Sequence, residues 1–425
     1  MEKLNNKSNA FSDSVSLLIN RFSSLFANGF LILVLPHYLD AVSQGYYFSF
    51  LGLAALQVAF DFGMSQTIMQ MVMHSFAISD DEKVRALIAH SNRWSKKIAI
   101  FFIATLIPGG LYYFSHSANT APFGWTFIWI ALVLSTGVNL FFSSRLTAIE
   151  GLGGLSSVAK LRTYQNFIGV ALIFFALYFG AGLFAVIIMP VLSGLFTYVW
   201  LKHIYVNESL NGDVCNLTEL DIKEIFGLQW KIGLSWVCGY AVQQSITPII
   251  FKEQGAIVAG QFGLTLALFN AISIVGLSLV TATIPQLASH VSLFQREKLI
   301  SLFKKAMFYS VACTIILVFL LFMILKFSNI IPPNRVLSGA SLYCLAIVCL
   351  ANAVIFPIAM LLRAHKEEPT LMMGIFTGLL LIGFILSISE EGVSMIAGVY
   401  AGVTLLIALP WTCIIFFRFI KRYYE

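Results

Sequence analysis

Charge is scarce in this chain. Only 11% of its 425 residues are Asp, Glu, Lys or Arg, against 59% apolar, and the mean hydropathy is +0.86. A soluble globule cannot cover that much apolar surface, and the apolar runs are long enough to cross a bilayer. A soluble domain is excluded and an integral membrane protein is implied. Cysteine is equally thin: Cys215, Cys238, Cys313, Cys344, Cys349 and Cys413 lie mostly inside apolar runs and without metal-ligand spacing. Neither a disulfide framework nor a zinc site is expected. The histidines are scattered and no acidic pair has a catalytic setting, so no metal, no cofactor and no enzymatic activity are expected.

What is present is a series of apolar segments. A window of about 19 residues places helices near 14–36, 45–73, 98–114, 125–148, 161–179, 183–203, 230–251, 257–284, 307–326, 338–362, 370–388 and 394–417. The weakest boundary is Gly180–Gly182, between two helices. The polar start MEKLNNKSNAFSDS, the Arg21 in the first apolar stretch and the lack of a small-residue cleavage pattern predict that this stretch stays as a helix and is not removed as a signal peptide. The fold class expected is all-α integral membrane, with about twelve transmembrane helices.

Lys and Arg set the orientation. With the N-terminus inside, the cytoplasmic segments hold Lys83, Arg85, Arg93, Lys96, Lys97, Arg296, Lys298, Lys304, Lys305 and most other cations, whereas the outer loops hold Lys252, Lys326 and Arg335. The positive-inside rule then places both termini in the cytoplasm. The net charge of +6 reflects this asymmetry and not nucleic-acid binding. The outer loops are too short to fold as a catalytic domain. The acidic stretch NESLNGDVCNLTELDIKEIFGLQW divides the chain into an N-terminal six-helix bundle (1–205), a cytoplasmic linker (206–229) and a C-terminal six-helix bundle (230–425).

The two halves resemble each other. LPHYLDAVSQGYYFSFLGLAAL aligns with TPIIFKEQGAIVAGQFGLTLAL, pairing Pro36 with Pro248 and Gly45 with Gly260, and Glu82-Lys83 aligns with Glu297-Lys298. Halves with an even number of helices keep one orientation and are related by a pseudo-two-fold axis along the membrane normal. Such a duplicated bundle around a polar cleft is a transporter plan, working by alternating access; duplication kept only for packing is the plainer alternative.

Few charges lie inside the apolar segments. Arg21 and its repeat partner Lys231 are cations at corresponding places, suited to an anionic substrate if both face a cleft; a snorkelling Arg21 is the alternative. Asp61, in LQVAFDFGMSQ, costs roughly 2.5–3.5 kcal/mol at the centre of a membrane helix. Two readings offset that cost: a counter-ion to Arg21, or a carboxylate that takes up H+ or Na+ and couples transport to an ion gradient. Arg145, Glu150, Lys160, Arg162 and Gln165 gather near the loop between the fourth and fifth spans, either as interfacial anchors or as a vestibule for an anionic headgroup.

The stretches LDAVSQGYYFSFLGLAALQVAFDFGMSQ, AIEGLGGLSSVAKLR and QWKIGLSWVCGYAVQQSITPIIFKEQGAIVAGQFG resemble the O-antigen flippases of the Wzx type, in the superfamily that also holds multidrug and toxic-compound extruders and lipid II flippases. The resemblance implies a substrate, an oligosaccharide unit on a polyprenyl diphosphate carrier, turned from the cytoplasmic to the outer leaflet of the bacterial inner membrane during polysaccharide biosynthesis. It also implies membrane lipids and the polysaccharide polymerase machinery as partners. A diphosphate needs Arg or Lys, for which Arg21, Lys231, Arg145 and Arg162 stand; the sugars need polar walls, for which Gln57, Gln66, Asn139, Gln243, Gln244, Asn270 and Asn352 are the candidates, and Asp61 is the candidate coupling residue. A multidrug efflux transporter of the same superfamily is the runner-up, and it would prefer acidic cavity residues. An O-antigen polymerase or ligase would want a large outer loop.

Overall fold

The computed structural model describes residues 10–115, 121–204, 217–284, 286–287, 290, 295–328, 330–364 and 371–424; the linker around Cys215 lies outside them. Among the described residues every regular element is a helix. Long continuous apolar runs favour this, since a helix satisfies all its backbone hydrogen bonds within one segment in lipid.

The first half contains α1 (Ala10–Tyr38), α2 (Ala41–Ala54), α3 (Gln57–Asp61), α4 (Met64–Ala77), α5 (Asp81–Ser115), α6 (Trp125–Ile149), α7 (Leu155–Tyr178) and α8 (Ala185–Val199). The second contains α9 (Glu219–Gln254), α10 (Ala256–Thr281), α11 (Arg296–Phe327), α12 (Ala340–Ala364), α13 (Leu371–Ile388), α14 (Val393–Val403) and α15 (Leu409–Tyr424). Among the described residues nine helical stretches are long and apolar enough to span a membrane, or ten when α2–α4, bent by 43°, is counted as one span. One of the nine, Trp125–Tyr178, runs for 54 residues. Straight, it would be about 80 Å long, far more than a hydrocarbon core of about 30 Å. A turn of wide helix at Glu150–Gly154, with Gly153 at φ 89°, ends α6 and starts α7. α9 is not among the nine; its run is interrupted by polar residues such as Gln243 and Gln244. Each span expected from the sequence nevertheless falls on helix.

The chain divides into two compact units, residues 1–244 and 245–425, and the division falls within α9. The sequence places its linker over 206–229; α9 begins inside that stretch, at Glu219.

In the first unit α1 packs on α7, α5 on α6, and α8 on both α6 and α7. Tyr46, Phe50, Phe114 and Trp129 form a buried aromatic cluster joining α2, α5 and α6. Elsewhere in the unit Met64, Ile68, Val72, Leu87, Ile149 and Ile225 are buried together, which ties the start of α9 to α4, α5 and α6. An ion pair supports this docking: Lys83 Nζ lies 2.7 Å from Asp221 and 3.7 Å from Glu224. Asp221 also accepts from the Thr218 hydroxyl at 2.6 Å and the Thr218 amide at 3.2 Å, closing the first turn of α9. Lys83 first, and then Thr218, hold the Asp221 carboxyl below its ordinary pKa. In the second unit α10 packs on α11 and α12, and α12 on α14 and α15.

The internal repeat extends to the helices but not to their continuity. Pro36 and Pro248 both lie near the ends of long helices, α1 and α9, and α5 and α11 begin at Asp81 and Arg296. The second span of the first half breaks at Phe62–Gly63, whereas its counterpart α10 runs unbroken through Gly276, the repeat position of Asp61.

Candidate functional site

The break after Asp61 accounts for the buried carboxylate. Phe62 (φ 48°) and Gly63 (φ 74°) are both left-handed, so α3 stops and α4 starts afresh. Asp61 is 9% exposed. Its Oδ1 accepts from the Ser65 hydroxyl at 2.8 Å and its Oδ2 from the Ser65 amide at 3.1 Å. The carboxylate therefore caps α4, where free amides and the helix dipole favour negative charge. Both of these bonds come from Ser65, so the carboxylate is satisfied locally. The break leaves the ladder of one long helix and supplies a local acceptor need that an acid satisfies without a cation.

A neighbouring helix holds the break from outside. A Cβ added at Gly63 would lie 2.8 Å from Gly233 N, and one added at Gly233 would lie 2.5 Å from Phe62 O. The backbones of α9 and of the α3–α4 turn touch because neither glycine has a side chain.

Close by in the chain, residues of α1, α3, α6, α7 and α8 line an open cavity of about 370 Å³ within the first unit. Its polar lining comes from helical positions three or four apart: Asn20 and Ser24 on α1, Thr136 and Asn139 on α6, Arg162, Gln165 and Asn166 on α7, with Gln57 opening α3 and Ser193 on α8. Several of these groups fix one another. Asn139 Nδ2 donates to Pro190 O at 2.8 Å, Gln165 Nε2 to Ser193 O at 3.1 Å and Thr197 Oγ1 at 3.0 Å, and Asn166 Nδ2 to Ser24 Oγ at 2.7 Å. Asn20 Oδ1, by contrast, is buried with no hydrogen-bond partner among the described residues. Arg162 is the charged residue of the lining; it pairs with Glu150, in the wide turn before α7, at 3.0 Å, and remains 46% exposed. Of the residues singled out from sequence, Gln57, Asn139, Arg162 and Gln165 meet in this cavity.

The others lie elsewhere. Arg21 is exposed on α1, beside Asn20 but not part of the lining. Gln66 is half-buried on α4. Arg145, on α6, lies over the Phe141 ring at 5.4 Å, and its buried Nε has no hydrogen-bond partner. Gln243 and Gln244 are half-buried at the end of the first unit, and Asn270 and Asn352 are half-buried on α10 and α12 of the second. Lys231 falls on α9, but its side chain lies outside the described ones. Among the described residues no group of three His, Cys, Asp or Glu is placed to hold a metal ion. Sequence reasoning missed Asn20, Ser24, Thr136, Asn166 and Ser193. Their signal was present as polar residues recurring at helical spacing in otherwise apolar runs.

No protein-family model matches the chain, and no curated protein does. Solved structures match it nearly end to end. An inward-facing multidrug resistance MATE family transporter of the MOP superfamily superposes with a TM-score of 0.66 at 16% identity, covering 96% of this chain and 99% of that one. A MATE protein in complex with MaD3S gives 0.58 at 15% identity, covering 97% and 96%. A MOP superfamily transporter from Pyrococcus furiosus, whose binding pocket is described as reversed in polarity and suggestive of a different function, gives 0.57 at 14%, covering 96% and 95%. The chain has the fold of these transporters.

Proposed function

We propose that this protein is a flippase that turns a polyprenyl-diphosphate-linked oligosaccharide from the cytoplasmic to the outer leaflet of the bacterial inner membrane by alternating access. The observation that carries this reading is the chemistry of the cavity. Amides and hydroxyls make up the polar part of its wall, and the charged lining residue is a cation. Sugar hydroxyls both donate and accept, so a wall of Asn, Gln, Ser and Thr suits them. A guanidinium suits a diphosphate, which it can grip through two parallel hydrogen bonds. At about 370 Å³ the cavity lies in the small-molecule range of about 300–1,000 Å³, enough for a segment of the saccharide. Sequence resemblance to the O-antigen flippases supports the same substrate class.

Asp61 is the coupling group in this reading. Protonation of a carboxylate that caps α4 weakens its hold on the Ser65 amide, and the adjacent turn touches α9 at Gly233. An ion gradient thereby acts on a helix break. Both termini and the 206–229 linker are cytoplasmic, in keeping with the distribution of Lys and Arg, and the polysaccharide polymerase machinery takes over the flipped unit.

Multidrug efflux is the second reading, and the fold it shares with MATE transporters favours it. It accords less well with the cavity, because cationic drugs call for acidic walls and Asp61 does not line it. Deletion of the protein separates the two. The flippase reading expects surface polysaccharide to be lost while lipid-linked units accumulate on the cytoplasmic leaflet; unchanged polysaccharide with raised drug sensitivity contradicts it.

A further inference from the structure

A second cavity lies in the other unit and is of the opposite character. It measures about 640 Å³ and runs between the end of α10 and the outer face of α11, walled by Leu279, Leu302, Ala306, Ala312, Ile316 and Leu317. α11 carries Phe308, Ile315, Ile316 and Phe319 largely exposed, so this face meets lipid and not a protein core. Polar groups gather toward one end. Lys305 and Tyr309 line the cavity there, and the Thr283 hydroxyl beside them is already committed to Val280 O at 2.8 Å.

Lys298, Leu302, Lys305 and Tyr309 lie at intervals of three and four and so share one face of α11. Lys298 and Lys305 are exposed, and neither has a carboxylate partner among the described residues. They stand about 10 Å apart along the helix. Below them, Lys305 to Leu317 spans about 18 Å at the helical rise, close to the roughly 15 Å depth of one leaflet.

We propose that this groove binds an anionic phospholipid, with one acyl chain along α11 and the phosphate held between Lys298 and Lys305. Two unmatched cations at the mouth select a net negative headgroup over a zwitterionic one. The depth selects a chain that ends at the bilayer midplane, as an acyl chain does, over a polyprenyl chain that is longer than a leaflet. The site is independent of the transported substrate and stands whether the protein moves lipid-linked sugars or drugs.

The test uses the purified full-length protein in phosphatidylcholine vesicles doped with phosphatidylglycerol or phosphatidylcholine bearing a photoreactive acyl chain. The proposal expects adducts within residues 302–317, with phosphatidylglycerol favoured on the order of tenfold from two lysines at the surface. The double variant K298Q/K305Q, changed only at exposed positions, brings the ratio to about one. Ala312→Trp, which fills the groove, abolishes both adducts while leaving labelling elsewhere on the chain intact. Equal labelling by the two lipids in the wild type, or a preference unchanged in the double variant, overturns the proposal. So does competition by undecaprenyl phosphate where unlabelled phosphatidylglycerol fails to compete.

Discussion

Replacing Gly233 by Ala tests the contact that binds α9 to the turn after Asp61. In the interior of a helix, Gly→Ala ordinarily stabilises by about 0.5–1 kcal/mol. At Gly233 the new Cβ would lie 2.5 Å from Phe62 O and 2.8 Å from Phe62 C, both backbone atoms. Neither can rotate away, and Phe62 is itself held left-handed at φ 48°, which already costs a residue with a Cβ about 1–2 kcal/mol. Overpacking of this kind costs about 1–3 kcal/mol. The net expectation is a loss of about 1 kcal/mol where helix propensity alone gives a gain. Gly239→Ala is the internal control, since it lies on the same helix with nothing within 4 Å of its Cβ, and it should hold or raise stability. Thermal unfolding of the three purified proteins in one detergent reads the difference. If Gly233→Ala is as stable as Gly239→Ala, the backbone contact is wrong, and with it the route from Asp61 to α9.

Three further outcomes follow from the same geometry. Arg162→Gln leaves Glu150, 11% exposed, without its cation, so transport is compared per amount of folded protein; it should fall by tenfold or more for the diphosphate-linked substrate, the loss of a charge-assisted pair of about 1.5–3 kcal/mol, and normal transport in that variant removes Arg162 from the site. Asp61→Asn should insert with at most about 0.5–2 kcal/mol of lost capping yet lose the dependence of transport on the ion gradient, with Asp61→Glu keeping part of it; gradient-driven transport that survives Asp61→Asn contradicts the coupling role. Asp221, whose carboxyl Lys83 and Thr218 hold below its ordinary pKa, stabilises the docking of α9 above the unfolded value of about 3.9 and loses that contribution as pH falls through the lower folded value. The stability gap between wild type and Asp221→Asn should therefore be constant from neutral pH down to about 4 and close below it; a gap that closes near neutrality is inconsistent with this.

Helix positions were legible in the sequence because apolar runs and short outer loops are properties of the chain alone. The breaks were not. Asp61 reads in sequence either as the counter-ion of Arg21 or as a coupling carboxylate, because a continuous helix would leave it without local donors. Phe62 and Gly63 end the helix there, and Ser65 supplies two donors from four residues on. The Gly63–Gly233 contact joins residues far apart in the chain and leaves no periodic trace. The cavity was half legible. Gln57 and Asn139 were nominated as polar residues in apolar runs, and Arg162 with Gln165 as part of a vestibule, but their grouping with Asn20, Ser24 and Asn166 depends on which helix faces pack, and α1 on α7 and α6 on α8 are pairings that only the fold reveals. The wide turn at Glu150–Gly154 showed in sequence as AIEGLGGLSS, a glycine-rich stretch, without showing that its Glu150 would hold Arg162.

The central claim is movement of a lipid-linked saccharide, and reconstitution measures it directly. Purified protein in vesicles that carry a polyprenyl-diphosphate-linked oligosaccharide in the leaflet away from the probe is mixed with a membrane-impermeant glycosidase, under an imposed ion gradient. The account predicts that the saccharide becomes cleavable with wild-type protein, stays protected in protein-free vesicles, and stays largely protected with Arg162→Gln. Saccharide that remains protected with wild-type protein, in vesicles that do move a cationic dye, would contradict the flippase reading and establish efflux in its place.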